Sequence, residues 1–342
     1  MHSASPAGTR MPEAESVLAT LLRPLREVLD RDDVSDVALN APGVVWVEGA
    51  RGWENIAVPG TTEDWLRSVA RAVTSSMKST IDEKRPIFSG HLPTGERIQI
   101  VVPPAAETTS ITIRRPSRVL FSLEQLGDKG AFDPVTQGDT GHAAERRSLR
   151  AELGSWRPSD PQEVAGVLRR LVQGRMNIIV SGATGSGKTT LSKALIAEIP
   201  ADERLITIED ARELEFAHAN SVRLFYSRDG GGTSPAKVQD LLVSCLRMKP
   251  DRILLAELRG DEAYYYLRNV NSGHPGSITT VHANSAAGAV EQLMLMIRLN
   301  AAGSGLSRAD INGMVTSLVD VIIQMERRRV TEIYVLPENA NA

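Results

Sequence analysis

The 342-residue chain contains a single cysteine, Cys245. One thiol excludes an intramolecular disulfide and any multi-cysteine zinc cage, and it suits a reducing cytoplasm. Aromatic residues are scarce at 4%, and no stripe of aromatic and basic side chains of the kind a nucleic-acid groove uses is apparent. Neither sign of charge dominates: 39 Lys and Arg stand against 42 Asp and Glu, a net charge of −3. Without a basic field, stable nucleic-acid binding is not expected. No apolar run approaches the roughly 18–20 residues that a membrane span requires. The first 16 residues are small and polar and lack the apolar core of a signal peptide. The expectation is a soluble, unsecreted protein whose membrane contact is peripheral. What is present is ordinary for a globular protein, with 42% apolar and 24% charged residues, and the length suits about two domains.

Residues 1–13 show no apolar period and read as a mobile tail. Residues 14–132 mix two periodicities. Leu18, Leu21, Leu22, Leu25 and Leu29 fall on one helical stripe, and Trp65, Val69, Ala70 and Val73 on another. Short β-branched runs at 37–39, 44–47, 56–58, 98–102 and 111–113 are separated by turn chemistry such as Ala41-Pro42-Gly43. The pattern predicts an α+β N-terminal domain with an antiparallel sheet. Residues 133–160 carry little period and read as an interdomain linker, with a short helix near 143–153. From 161 to 342 the pattern changes. Asp160 and Pro161 form a helix start, and nearly continuous apolar strands at 177–181, 205–208, 253–256 and 277–281 alternate with helices. Such runs mark parallel strands covered on both faces. The segments 319–325 and 330–336 read as a closing hairpin, with Arg327, Arg328 and Arg329 at a solvated turn.

The strongest chemical signal is Gly182-Ala183-Thr184-Gly185-Ser186-Gly187-Lys188-Thr189, followed by Thr190. It matches the P-loop pattern G-x-x-x-x-G-K-[ST] between a predicted strand and a predicted helix. The glycines let backbone N–H groups curl around phosphate oxygens at a helix N-terminus. Lys188 then reaches the β- and γ-phosphates, and the Thr189 hydroxyl is placed for Mg²⁺. The second domain therefore reads as an α/β P-loop NTPase domain of the RecA-like type, with a mostly parallel sheet. The loop by itself does not separate ATPase, GTPase, nucleotide kinase and helicase, but the Asn-Lys-x-Asp string of guanine recognition is absent. Glu257 ends a buried strand, where a carboxylate can hold Mg²⁺ or its water. Glu209, Asp210 and Glu213 follow another strand, and one of them can orient or deprotonate water. His282 ends a further strand, where it can sense the γ-phosphate.

These strings occur in one order: P-loop, Ile208-Glu209-Asp210-Ala211-Arg212-Glu213, Ala256-Glu257-Leu258-Arg259, then Gly273-His274 and Val281-His282. The order resembles the secretion and pilus-retraction ATPase superfamily, and most closely the traffic ATPases of bacterial type IV secretion systems. The resemblance extends to Leu92-Pro93-Thr94-Gly95-Glu96-Arg97-Ile98 and Ser110-Ile111-Thr112-Ile113-Arg114-Arg115-Pro116. Type II secretion relatives usually carry a four-cysteine metal module, which one cysteine does not allow. The resemblance implies a homohexameric ring that hydrolyses ATP with Mg²⁺ on the cytoplasmic face of the inner membrane. There it would work with inner-membrane components of the secretion machine in pilus assembly and substrate export. It also implies Glu213 as the catalytic acidic-residue position, Glu257 as the Mg²⁺ and water position, His282 as a site histidine, and Arg97 and Arg114 as first-domain arginines reaching the γ-phosphate. Ala256 departs from the glycine usual before the glutamate.

Overall fold

The computed structural model describes residues 17–116, 120–132, 142–156, 160–227 and 234–337. The tail at 1–13 and parts of the segment at 133–160 lie outside them. The leucine stripe begins as two short helices, α1 (Val17–Leu22) and α2 (Arg26–Leu29). A 3₁₀ turn at Arg23–Leu25 separates them, because Pro24 cannot continue an α-helical ladder. Strands β1 (Asp36–Ala41), β2 (Val44–Gly49), β3 (Gly52–Ala57), β4 (Ile87–His91), β5 (Arg97–Val101) and β6 (Ser110–Arg114) form one sheet in the order β3-β2-β1-β6-β5-β4. Every pairing in it is antiparallel. Helix α3 (Glu63–Ser76), capped by Thr62, lays Leu66, Val69, Ala70 and Val73 on that sheet. Helix α4 (Leu123–Asp128) follows.

The second domain opens with α5 (His142–Gly154) and α6 (Pro161–Gln173). It then alternates β7 (Ile178–Gly182), α7 (Lys188–Ile196), β8 (Leu205–Glu209), β9 (Ser221–Phe225), α8 (Val238–Cys245), β10 (Arg252–Leu255), α9 (Glu262–Val270) and β11 (Ile278–Val281). Helices α10 (Ala286–Leu299) and α11 (Arg308–Leu318) precede β12 (Val321–Glu326) and β13 (Arg329–Val335). The strands order as β10-β8-β9 and β11-β7-β12-β13. A parallel bridge at Leu258–Val281 joins the two sets, and among the described strands of this domain only β12–β13 pair antiparallel. The period of two divides each strand between two cores. Ile179, Ile206, Ile253 and Ile322 face one; Ile178, Leu205, Leu254 and Val321 face the other.

Two features bear on the site. Residues 142–154, inside the segment expected as a linker, form α5 and pack on the second domain. Leu149 and Leu153 join its core, and Arg146 and Arg150 reach the buried carboxylate of Asp320 at 2.7 and 3.3 Å. The two domains are also clasped together. Phe225 N donates to Ala105 O at 2.9 Å and Glu107 N to Arg223 O at 3.1 Å, so first-domain backbone caps the open edge of β9. The fully buried Arg204 donates to Asn40 Oδ1 at 2.9 Å and stacks 5.2 Å from the Trp53 ring. Burial pushes its guanidinium down to about 10.

Candidate active site

The P-loop begins where β7 ends. A Cβ on Gly182 would fall 2.5 Å from both Met325 O and Ser186 Oγ, so no side chain fits there. Gly185 and Gly187 adopt φ of 75° and 99°, the left-handed region that glycine enters without penalty. Gly187 is the N-cap of α7, and Leu191 N donates to its carbonyl at 3.0 Å. Lys188 lies buried along the loop. Its Nζ donates to Gly182 O at 2.8 Å and Ala183 O at 3.1 Å, and stands 3.3 Å from His282 Nδ1. Burial lowers the pKa of this ammonium, opposed by the charge of Glu257.

A cleft of about 180 Å³ gathers Lys188, Thr189, Asp210, Glu213, Glu257 and His282 at the carboxyl ends of β7, β8, β10 and β11. This is where open α/β sheets bind ligands. Glu257 is 14% exposed, with Oε1 2.7 Å from His282 Nε2 and Oε2 against Arg259 Nη2. Arg259 also faces Asp210 Oδ2 at 3.6 Å, and Glu257 raises its pKa further. His282 stands between the two: Nδ1 faces the Lys188 ammonium, which has only donors, and Nε2 faces Glu257.

The acidic string after β8 divides by role. Glu209 is fully buried and accepts from the backbone N–H of Glu213 at 2.9 Å, that of Leu214 at 2.8 Å, and the Thr207 hydroxyl at 2.7 Å. It therefore shapes the turn that presents Glu213. The Glu213 carboxylate lines the cleft without a recorded partner among the described residues. Sequence reading missed this division, although the position of Glu209 as the last residue of a buried strand is a signal for it. Thr190 is exposed beside the loop.

Arg97 and Arg114 are not brought to this cleft in their own chain. They line a separate cavity of about 360 Å³ with Gln99 of the first domain and Arg247 of the second, and Arg114 Nε pairs with Asp36 at 2.8 Å. For a cation, no group of three or more His, Cys, Asp or Glu exists among the described residues. The cleft offers oxygen donors in the Thr189 hydroxyl and the Glu257 carboxylate, with Asp210 and Glu213 beside them. That suits Mg²⁺, which keeps several waters and takes phosphate oxygens rather than an all-protein cage.

Comparison with known proteins bears on the family and the fold. Residues 144–332 match the family model described as Type II/IV secretion system protein. The chain is 45% identical over 342 residues to the type IV secretion system protein VirB11 of Bartonella henselae, with 96% of each covered. It is 42% identical over 336 residues to VirB11 of Brucella suis, covering 94% of this chain and 91% of that one. A crystal structure of the VirB11 ATPase of the Brucella suis type IV secretion system, in complex with sulphate, superimposes with a TM-score of 0.83 at 41% identity. It covers 94% of this chain and 95% of that one.

Proposed function

From the premise that the chain belongs to the VirB11 family of type IV secretion ATPases, we propose that it hydrolyses ATP to ADP and phosphate as a ring of six copies. The work of that cycle goes to pilus assembly and substrate export. The ring sits on the cytoplasmic face of the inner membrane, against inner-membrane components of the machine. No helix among the described residues is long and apolar enough to cross a membrane, which suits a peripheral position. The reading divides the chain into domains at 14–132 and 161–342, with α5 of the intervening segment travelling with the second.

One observation carries the enzymatic reading: the P-loop lysine and hydroxyl, two carboxylates and a histidine share one cleft. The backbone N–H groups of 183–189 take the phosphate oxygens, and the Lys188 ammonium moves from the loop carbonyls to the β- and γ-phosphates. Thr189 and Glu257 hold Mg²⁺, which when bound neutralises charge on the transferred phosphoryl group. Glu213, free of partners among the described residues, orients the attacking water and takes its proton. His282, with Nε2 2.7 Å from Glu257 Oε1, keeps that carboxylate turned into the cleft. Arg97 and Arg114 serve the γ-phosphate held by a second copy, since their own chain keeps them in another cavity.

Phosphate release from Lys188→Ala beside the wild-type chain, with oligomeric mass measured with and without ATP and Mg²⁺, tests the reading. The variant is expected to lose turnover and ATP-dependent assembly. Near-normal turnover would end the P-loop assignment, and a wild-type mass that stays monomeric would end the ring.

A further inference from the structure

The P-loop has a second neighbour on the flank away from its carboxylates. The hairpin between β12 and β13 turns at Arg327 and Arg328, and Arg328 N donates to Ser186 O at 2.9 Å. A Cβ on Gly187 would lie 3.4 Å from Arg328 Cα and 3.7 Å from Arg328 Cβ. The turn is therefore a wall of the loop, held there by backbone. Strand order says which wall. In the sheet β7 stands between β11 and β12. Glu257 and His282 leave the ends of β10 and β11 on one side, while the hairpin lies beyond β12 on the other. The cleft that holds Lys188, Glu213, Glu257 and His282 does not include the turn. A nucleoside triphosphate laid along the loop with its γ-phosphate among those carboxylates runs its α-phosphate toward the hairpin.

The turn is conformationally costly for the residues in it. Arg327 and Arg328 adopt φ of 49° and 65°. A two-residue hairpin turn with both positions left-handed suits Asn-Gly, and a long side chain is disfavoured there. Strain of that kind persists where the side chain has a use. Arg327 has Glu326 at 3.7 Å. The exposed Arg328 guanidinium has no recorded partner among the described residues.

We propose that Arg328 is a nucleotide-binding residue whose guanidinium takes the α-phosphate of the ATP bound in the P-loop. The proposal rests on the ATP reading above. A planar guanidinium matches a phosphate oxygen pair and remains charged throughout. The side chain reaches from a backbone tied to Ser186, so its origin moves with the loop that wraps the β-phosphate.

Arg328→Gly in the full chain tests this, because glycine suits φ of 65° and keeps the turn. The variant is expected to show an unchanged or higher melting temperature. Its Kd and KM for ATP rise about tenfold or more, the scale of one charge-assisted hydrogen bond, at unchanged kcat. Inorganic pyrophosphate, which fills only the β and γ positions, binds both chains equally. Arg328→Lys, which keeps the charge, recovers most of the loss. Equal ATP affinity in the wild-type and Arg328→Gly chains overturns the proposal and leaves the P-loop reading standing. Loss of pyrophosphate binding in Arg328→Gly also overturns it, by putting the effect in the loop itself. A wild-type chain that binds neither ligand sinks the P-loop reading and this proposal together.

Discussion

Glu213 and Glu257 share a cleft and a charge, yet their surroundings give them different work. Glu257 has His282 on one oxygen and Arg259 on the other, a fixed carboxylate suited to a cation. Glu213 lines the cleft with no recorded partner for its carboxylate among the described residues, which suits water. Glu213→Gln is therefore expected to lower kcat by roughly 10²-fold or more, the scale of a general base, with nucleotide affinity and Mg²⁺ dependence retained. Glu257→Gln is expected to raise the Mg²⁺ concentration for half-maximal turnover as well. Titrating Mg²⁺ at saturating ATP separates them; a near-wild-type kcat in Glu213→Gln removes it from the proposed role. At this scale the sequence was partly legible. Lys188, Thr189, Glu257 and His282 are placed by motif and strand end, and the structure gathers them. The roles of Glu209, Asp210 and Glu213 were not, because which carboxylate is consumed by backbone N–H groups depends on how the turn folds. Glu209 accepts two of those N–H groups, and this is invisible in a string of acids.

Among elements, legibility followed burial. Strands β7, β8, β10 and β11 read clearly because both of their faces are covered, so every position in them is buried. Strands β4 and β9 did not. Gly90 interrupts one, and Arg223 sits at the centre of the other, polar by type yet 7% exposed because its guanidinium pairs with Glu209 at 3.4 Å and stacks on Phe216 at 4.2 Å. For helix α5 the sequence predicts a short helix near 143–153, but its packing on the second domain was hidden in the same way. Its arginines look like a solvated face, but Arg150 also donates to Thr316 O at 2.9 Å and Leu336 O at 2.8 Å, while Asp320 accepts from Asn177 N at 2.7 Å. Burial raises the pKa of Asp320, and Arg146 opposes the shift. Removing one partner of a buried pair strands the other charge, which costs about 3–5 kcal/mol. Asp320→Ala should lower the unfolding free energy of the chain on that scale in urea and expose α5 to protease. Glu152→Ala, which removes the half-exposed pair with Arg170, should leave the unfolding midpoint where it is. Equal midpoints for the two variants would mean that α5 is not anchored through Asp320.

The whole molecule sets the hardest question, which is how Arg97 and Arg114 could reach a nucleotide as proposed. Sequence reading places both in one sheet, and β5 pairs with β6 so that the two arginines stand directly opposite each other. The structure adds where that sheet points. The clasp of Arg204 with Asn40, the capping of β9 by 105–107 and the Lys249–Glu48 pair at 2.9 Å hold the first domain to its own second domain. In that clasped arrangement the arginine pair opens into a cavity shared with Arg247, away from the P-loop cleft. The proposed ring, if head-to-tail, would solve the geometry, because each copy then offers a different face to its neighbour. An arginine delivered from a neighbouring chain can raise kcat by roughly 10³–10⁵-fold. Two inactive chains therefore test the arrangement. One carries Arg97→Ala and Arg114→Ala with an intact P-loop; the other carries Lys188→Ala with intact arginines. If the arginines act on the neighbour's nucleotide, mixing the two chains before assembly restores measurable ATP turnover. The restored rate then rises to a maximum near equal proportions, where copies with a sound loop most often sit beside copies with sound arginines. If each chain completes its own site, no ratio restores turnover, since every copy lacks one half. A mixture that stays inactive while mass measurement shows mixed oligomers would rule out the shared site.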